Sequence, residues 1–230
     1  EGATLISGGN IVLKRGMQGM DRGMLQAEGN ITAKFLENCK VRCKGMLKAD
    51  AILHSDVECQ ENVDILGKKG LINGGSLSTY ADVHATTLGS TMGASTKIKI
   101  ISDKELIIRA NEIKAEVENK EETLQKIDEV VNRVKGQLAS NQEVLPEQMN
   151  YLKQATVNKP LLVKQIRELR EEREKLLVRI EKNKHSCIRV EGAVYSGIDI
   201  TVKDVSKVQH EQVSHCRFVR DGADVRIVGL

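Results

Sequence analysis

Residues 39–59 read CKVRCKGMLKADAILHSDVEC. Val41 and Cys43 are echoed sixteen residues later by Val57 and Cys59. Three of the five cysteines and one of the five histidines of the chain fall in this window, so it reads either as a metal site or as a structural repeat. Extending the comparison outward favours the repeat. SGGNIV at 7, AEGNIT at 27, CKGMLK at 43, CQENVD at 59 and TYADVH at 79 superpose. One column runs Leu5, Leu25, Val41, Val57, Leu77, and the next runs Ser7, Ala27, Cys43, Cys59, Thr79. Two more run Ile11, Ile31, Leu47, Val63, Val83 and Leu13, Ala33, Ala49, Ile65, Ala85.

Within each unit apolar or small residues recur at i and i+2 and again after a polar or glycine-containing corner, which is strand periodicity. A single coil of short strands cannot bury its inward face, but coils stacked about 4.8 Å apart share one interior. The pattern predicts a parallel β-helix (β-solenoid) over residues 1–101, and the absence of a hexapeptide period favours the right-handed form. Two coils are four residues longer than the others. Their extra residues are expected in the glycine-rich stretches 14–23 and 67–75, because insertions in a solenoid go to loops.

From Asp103 the period becomes helical. Leu106, Ala110, Ile113, Val117, Lys120, Leu124, Ile127, Val131, Val134 and Leu138 form one seam. A second seam comprises Leu152, Ala155, Lys159, Leu162, Ile166, Leu169, Arg173, Leu176 and Ile180. Steps alternating between three and four are those of a coiled coil. ASNQEVLP at 139–146 has turn chemistry, so the two seams predict an antiparallel hairpin across 102–185. Pro160 is expected to kink or restart the second helix. Strand alternation returns in CIRVEGAVYSGIDITVKD and SHCRFVRDGADVRIVGL, so residues 186–230 are expected to complete or cap the β-helix. The hairpin is then an insertion that projects from it or caps it.

Composition narrows the function. Aromatic residues make up 2% of the 230 residues, with no Trp, and the net charge is +3. Single-strand nucleic-acid binders need rings for stacking and a basic field, and this chain has neither. Lys and Arg number 17 between 103 and 184 against 16 Asp and Glu, so the hairpin is not a basic arm. No apolar run approaches the roughly 20 residues that span a bilayer, so direct membrane insertion is not expected. Five cysteines at uneven spacing fit a reducing compartment better than a disulfide framework. Opening at Glu1-Gly2 rather than Met, the chain reads as a fragment.

GMLQAEGNITAKFLENCKV, AILHSDVECQENVDILGKKGLINGGSLS and LGSTMGASTKIKI together resemble the flagellar assembly protein A (FapA) family. The most specific elements are Gly67-Lys68-Lys69-Gly70-Leu71-Ile72 with Gly74-Gly75, then Gly89-Ser90 and Met92-Gly93. The resemblance implies a right-handed β-helix carrying a helical hairpin in a cytoplasmic bacterial protein. It also implies a role in flagellar assembly or placement through protein contacts, without catalysis. The chain departs from the family at two turns, with Thr91 and the Tyr195-Ser196-Gly197 stretch lacking the family's usual proline.

Candidate sites are few. The cysteines follow CxxxC with no second pair, unlike a zinc site, and Cys43 and Cys59 occupy a column otherwise filled by Ser7, Ala27 and Thr79. They read as small inward residues. Cys187, His185, His210 and His215 could be imagined as nucleophile and base, but no strained nucleophile turn is present. Asp50, Asp56, Glu58 and Asp64 are placed at separated corners, which disfavours a carbohydrate-active enzyme. Lys68, Lys69 and Gly70 form a candidate partner-contact loop. Gly67, Gly74, Gly75, Gly89 and Gly93 read as turn glycines, with Gly67, Gly70, Gly74 and Gly75 expected to supply positive φ. No metal or cofactor is expected. The leading reading is a scaffold whose hairpin docks a protein partner. A self-assembling β-helix of the bactofilin or MinC kind, forming a homo-oligomer through open coil ends, is the rival.

Overall fold

The computed structural model describes residues 1–140 and 144–230, so residues 141–143 of the turn read at 139–146 lie outside the described residues. Two compact units result, one from Glu1–Asp103 with Lys182–Leu230 and one from Lys104–Glu181. The first begins with β1 (Thr4–Ser7), β2 (Ile11–Leu13), β3 (Met17–Ala27), β4 (Ile31–Cys43) and β5 (Leu47–Cys59). It continues with β6 (Val63–Ile65), β7 (Leu71–Thr79), β8 (Val83–Ala85), β9 (Thr87–Leu88) and β10 (Thr96–Ile100). After helices α1 (Lys104–Ala139) and α2 (Pro146–Asn183) come β11 (Ile188–Val194), β12 (Ile198–Val202) and β13 (Val205–Gln209). The chain ends with β14 (Val213–Asp221) and β15 (Asp224–Gly229).

The strands form a parallel β-solenoid. Leu5, Leu25, Val41, Val57 and Leu77 are register partners from coil to coil, and their column continues through Ile98 to Ile200. Ser7, Ala27, Cys43, Cys59 and Thr79 do the same and continue through Ile100 to Val202. The Ile11 column passes from Val83 to Ile188 across the helical insertion. A further inward column, Met17, Leu36, Ile52, Ile72, Leu88 and Val194, forms another face that the repeat alignment did not contain. Nearly all these aliphatic side chains are fully buried. Each such burial contributes about 1.5–3 kcal/mol, which identifies the interior as the main source of stability.

Register locates the extra residues of the long coils. In the second long coil all four lie between Ile65 and Leu71, because Val63 pairs with Leu47 while Leu71 pairs with Ala51. In the first they are divided, one before Met17 and the others in a bulge between Gln18 and Gly23. Gly74 and Gly75 are therefore not part of the insertion but lie within β7. They occupy a corner shared by successive coils, where Asn38 and His54 also have left-handed backbones (φ 48° and 47°) and Gly74 has φ 76°. Gly75 follows with φ 86°, and a Cβ there would stand 2.3 Å from the Ser55 carbonyl oxygen.

At the carboxy-terminal end the ladder changes direction. β12 pairs antiparallel with β13, β11 with β14, and β14 with β15. Fully buried Phe218 fills the space beneath β14. These strands cover backbone groups that would otherwise remain open for strand addition. Where the chain leaves and rejoins the solenoid, Lys203 Nζ donates to Asp103 Oδ2 and to the Lys184 carbonyl, both at 3.2 Å.

The helical unit is an antiparallel pair: Arg109 reaches Glu172, Glu121 accepts from Arg170, and Asp128 accepts from Lys159. Ile113, Val117 and Ile166 form its buried centre, with Leu124, Leu162, Leu169 and Leu176 around them. The two seam lysines find polar partners, Lys120 at Gln165 and Lys159 at Asp128. Leu145 N–H donates to Gln148 Oε1, the one arm of a capping box that a leucine at this place allows, and α2 starts at Pro146. Of the two outcomes expected at Pro160, a kink or a restart, the restart does not occur, since α2 runs unbroken through it. Pro160 is exposed, so water can satisfy the carbonyl it leaves without a donor while Ala155, Leu162 and Ile166 hold the seam.

Two substitutions test these features by urea denaturation. Gly75→Ala is expected to lose about 1–3 kcal/mol from the left-handed backbone alone, whereas Gly8→Ala, which meets no atom and has no positive φ, stays within about 0.5 kcal/mol. Lys203→Met leaves the buried Asp103 carboxylate unpaired and is expected to cost about 3–5 kcal/mol, part of which returns when Asp103→Asn is added.

Candidate functional site

Lys68 and Lys69 are exposed at the tip of the inserted loop, while Gly70 is buried beneath them. Gly70 fixes the loop: φ is 53°, its carbonyl accepts from the Thr86 and Thr87 N–H groups, and a Cβ would stand 2.0 Å from Thr86 Oγ1. Gly67 departs from the expectation. It has no positive φ and is required instead by close approach, because its Cβ would overlap the Asp50 carboxylate at 2.2 Å. Gly89 (φ 76°) and Gly93 (φ 70°) turn the next loop, in which Gly93 N–H donates to the Ser90 carbonyl and Met92 is 93% exposed.

The stack brings these two loops together. Lys69, Leu71, Gly89, Ser90, Thr91 and Tyr195 line one shallow cavity of about 300 Å³, and the buried Ser90 Oγ has no hydrogen-bond partner. A cation, a hydroxyl and a tyrosine ring are placed there together. That chemistry suits contact with a partner surface. The sequence contained both loops, but their adjacency arises only from the coil register.

The cysteine cluster resolves into stacking. Cys43 and Cys59 are register partners on adjacent coils, and all five cysteines are free thiols. Cys43 Sγ donates to the Gly29 carbonyl and Cys59 Sγ to the Gly45 carbonyl, at 3.2 and 3.1 Å. Thr79 Oγ1 donates to the Glu61 carbonyl in the same way, so this column supplies small donors to the corner carbonyls. Contact with Cys43, together with burial, pushes the Cys59 thiol far above its ordinary value. Cys39 faces Ser55 instead. Among the described residues no group of three His, Cys, Asp or Glu side chains could hold a metal ion.

A nucleophile finds no support here. The Cys187 thiol is pushed up by burial and by Asp82, the reverse of an activated cysteine. The four carboxylates are less separated than expected, since Asp50 and Asp64 line one cavity of about 240 Å³. Adjacent coils bring them together although they are not register partners, Asp64 being paired with Lys48. That cavity has no aromatic platform, and Asp64 is engaged by His84 at 3.3 Å. Asp56 accepts from Ser76 and Glu58 pairs with Arg42.

The family model for the Flagellar Assembly Protein A beta solenoid domain matches residues 1–225. The chain belongs to the FapA family. Membership points to a role related to flagellar assembly, and assembly implies protein contacts. No curated protein and no solved structure matches the chain. Among the described residues of this FapA-family chain no helix is long and apolar enough to cross a membrane.

Replacing Cys43 by Ala and Cys59 by Ser is expected to change stability by no more than about 2 kcal/mol, because Ala27 and Ser7 fill the same column and Ser retains a donor. A chelator should leave the wild-type melting temperature unchanged.

Proposed function

We propose that the chain is a non-enzymatic cytoplasmic scaffold for flagellar assembly or placement. The β-solenoid is a rigid spacer and the helical hairpin is the arm that engages a protein partner. The observation that carries this reading is the apolar surface left outside the hairpin's own seam. Val157 and Leu161, one turn apart on α2, are 74% and 57% exposed, and Ile107, Ile108, Val163 and Val178 are also exposed. The seam itself is closed by Ile113, Val117 and Ile166, so these residues are not needed to pair the helices.

Further support comes from the charge and the thiols. The arm's cations and anions nearly balance, which fits protein docking better than binding to a polyanion. Free cysteines throughout accord with a reducing compartment. The Lys68-Lys69-Gly70 loop, with the Gly89–Gly93 turn beside it, is assigned as a secondary partner contact on the solenoid. Self-assembly receives less support, because antiparallel strands cover the carboxy-terminal end of the ladder.

The test removes the arm. Asp103 and Lys184 both contact Lys203 Nζ, so a short Gly-Ser linker can replace residues 104–183 without opening the solenoid. A pull-down from native cells with this variant is expected to lose the principal partner recovered by the full chain. Recovery of every partner without the hairpin would end the arm reading.

A further inference from the structure

A cavity of about 430 Å³ lies where the returning strands cap the solenoid, lined by Lys184, His185, Ser186, Lys203, Arg217 and Arg220. No carboxylate lines it. Three acids of the cap have partners: Asp103 pairs with Lys203, Asp204 with Arg220 at 2.7 Å, and Asp82 accepts from the Cys187 N–H. Arg217 differs from the other two ion-forming side chains. Among the described residues it has no carboxylate within ion-pair distance, and the same holds for Arg189.

Arg189 and Arg217 are direct register partners on the antiparallel pair of β11 and β14. Like charges placed opposite each other in a ladder are destabilising unless a counter-charge stands between them. Both guanidinium groups act on the Cys187 thiol, as the Asp82 carboxylate does more strongly, so the two arginines share one region of the cap with that carboxylate. Neither is needed for the interior, which Val190, Cys216 and Phe218 fill from the opposite face of the same strands.

We propose that this cavity binds a small phosphate-bearing anion, with Arg217 as the principal ligand and Lys184 and His185 as its support, while Arg189 stands outside the lining as the register partner of Arg217. Guanidinium matches phosphate oxygens through paired N–H donors, which an ammonium group cannot do. The volume lies in the range of small-ligand sites, roughly 300–1,000 Å³. The anion would relieve the repulsion between Arg189 and Arg217. This proposal concerns the solenoid cap alone and does not rest on the hairpin's role.

Isothermal titration calorimetry of the full chain with inorganic pyrophosphate at low ionic strength tests it. Saturable binding is expected, weakened about tenfold or more by Arg217→Gln and nearly as much by Arg217→Lys, which keeps the charge but not the fork. Arg189→Gln should weaken it less, and a Lys68→Gln, Lys69→Gln double variant not at all. Arg217 is exposed, so circular dichroism should show each variant folded. Absence of saturable heat overturns the proposal. Full binding by Arg217→Lys, or equal losses in all variants, reduces the cavity to diffuse charge and overturns it too. Tighter binding of a glutamate-rich peptide than of pyrophosphate would make the surface a protein contact and not a phosphate site.

Discussion

The structure depends on in-register parallel pairing between coils. Each rung must present inward what the rung above and below can pack against, and a slip of one residue would turn every inward side chain outward. The column Leu25, Val41, Val57, Leu77, Ile98, Ile200 is the result: aliphatic at every step and fully interior. The same constraint governs polar residues. Cys43, Cys59 and Thr79 hold a column in which a small donor reaches a corner carbonyl, so a sulfur and a hydroxyl are interchangeable there. Extra residues are tolerated only where they leave register on both sides intact. The stretch between Ile65 and Leu71 satisfies that condition, and it carries the exposed lysine pair.

Two of the inward faces were legible because their columns share the same steps of 20, 16, 16 and 20 residues through the first five coils, and the coiled-coil seam was legible because few substitutions interrupt it. The Met17 face was hidden by the bulge between Gln18 and Gly23, which breaks the spacing in the coil where a comparison would begin. β13 escaped notice because VSKVQ is short and mostly unburied. Gly67 was misread because close approach and left-handed backbone both demand glycine, and only the position of the Asp50 carboxylate separates them. The pairing of Asp50 with Asp64 in one cavity, and of Lys69 with the Gly89 turn, depends on which corners stack. The basic cavity comes from residues 184, 185, 203, 217 and 220, so distant in sequence that no local motif announces them.

The two units divide their chemistry. The solenoid buries one continuous aliphatic interior along its coils, whereas the hairpin buries a narrow seam, and both expose apolar side chains, Met92 and Val157 among them. A family defined by assembly and not by a reaction is compatible with that arrangement, in which the informative residues are surface leucines, valines and lysines.

The insertion also shapes how the ladder can be completed. Val83 must find Ile188 and Thr96 must find Ile198, contacts separated by about a hundred residues. Closing so long a flexible loop carries an entropic cost that grows with the logarithm of its length. Helical segments form on the microsecond scale from local contacts alone, and an antiparallel hairpin returns its two ends to one neighbourhood. A hairpin that formed first would shorten the search, and in the folded chain Lys203 ties the segments on either side of it together at Asp103 and Lys184.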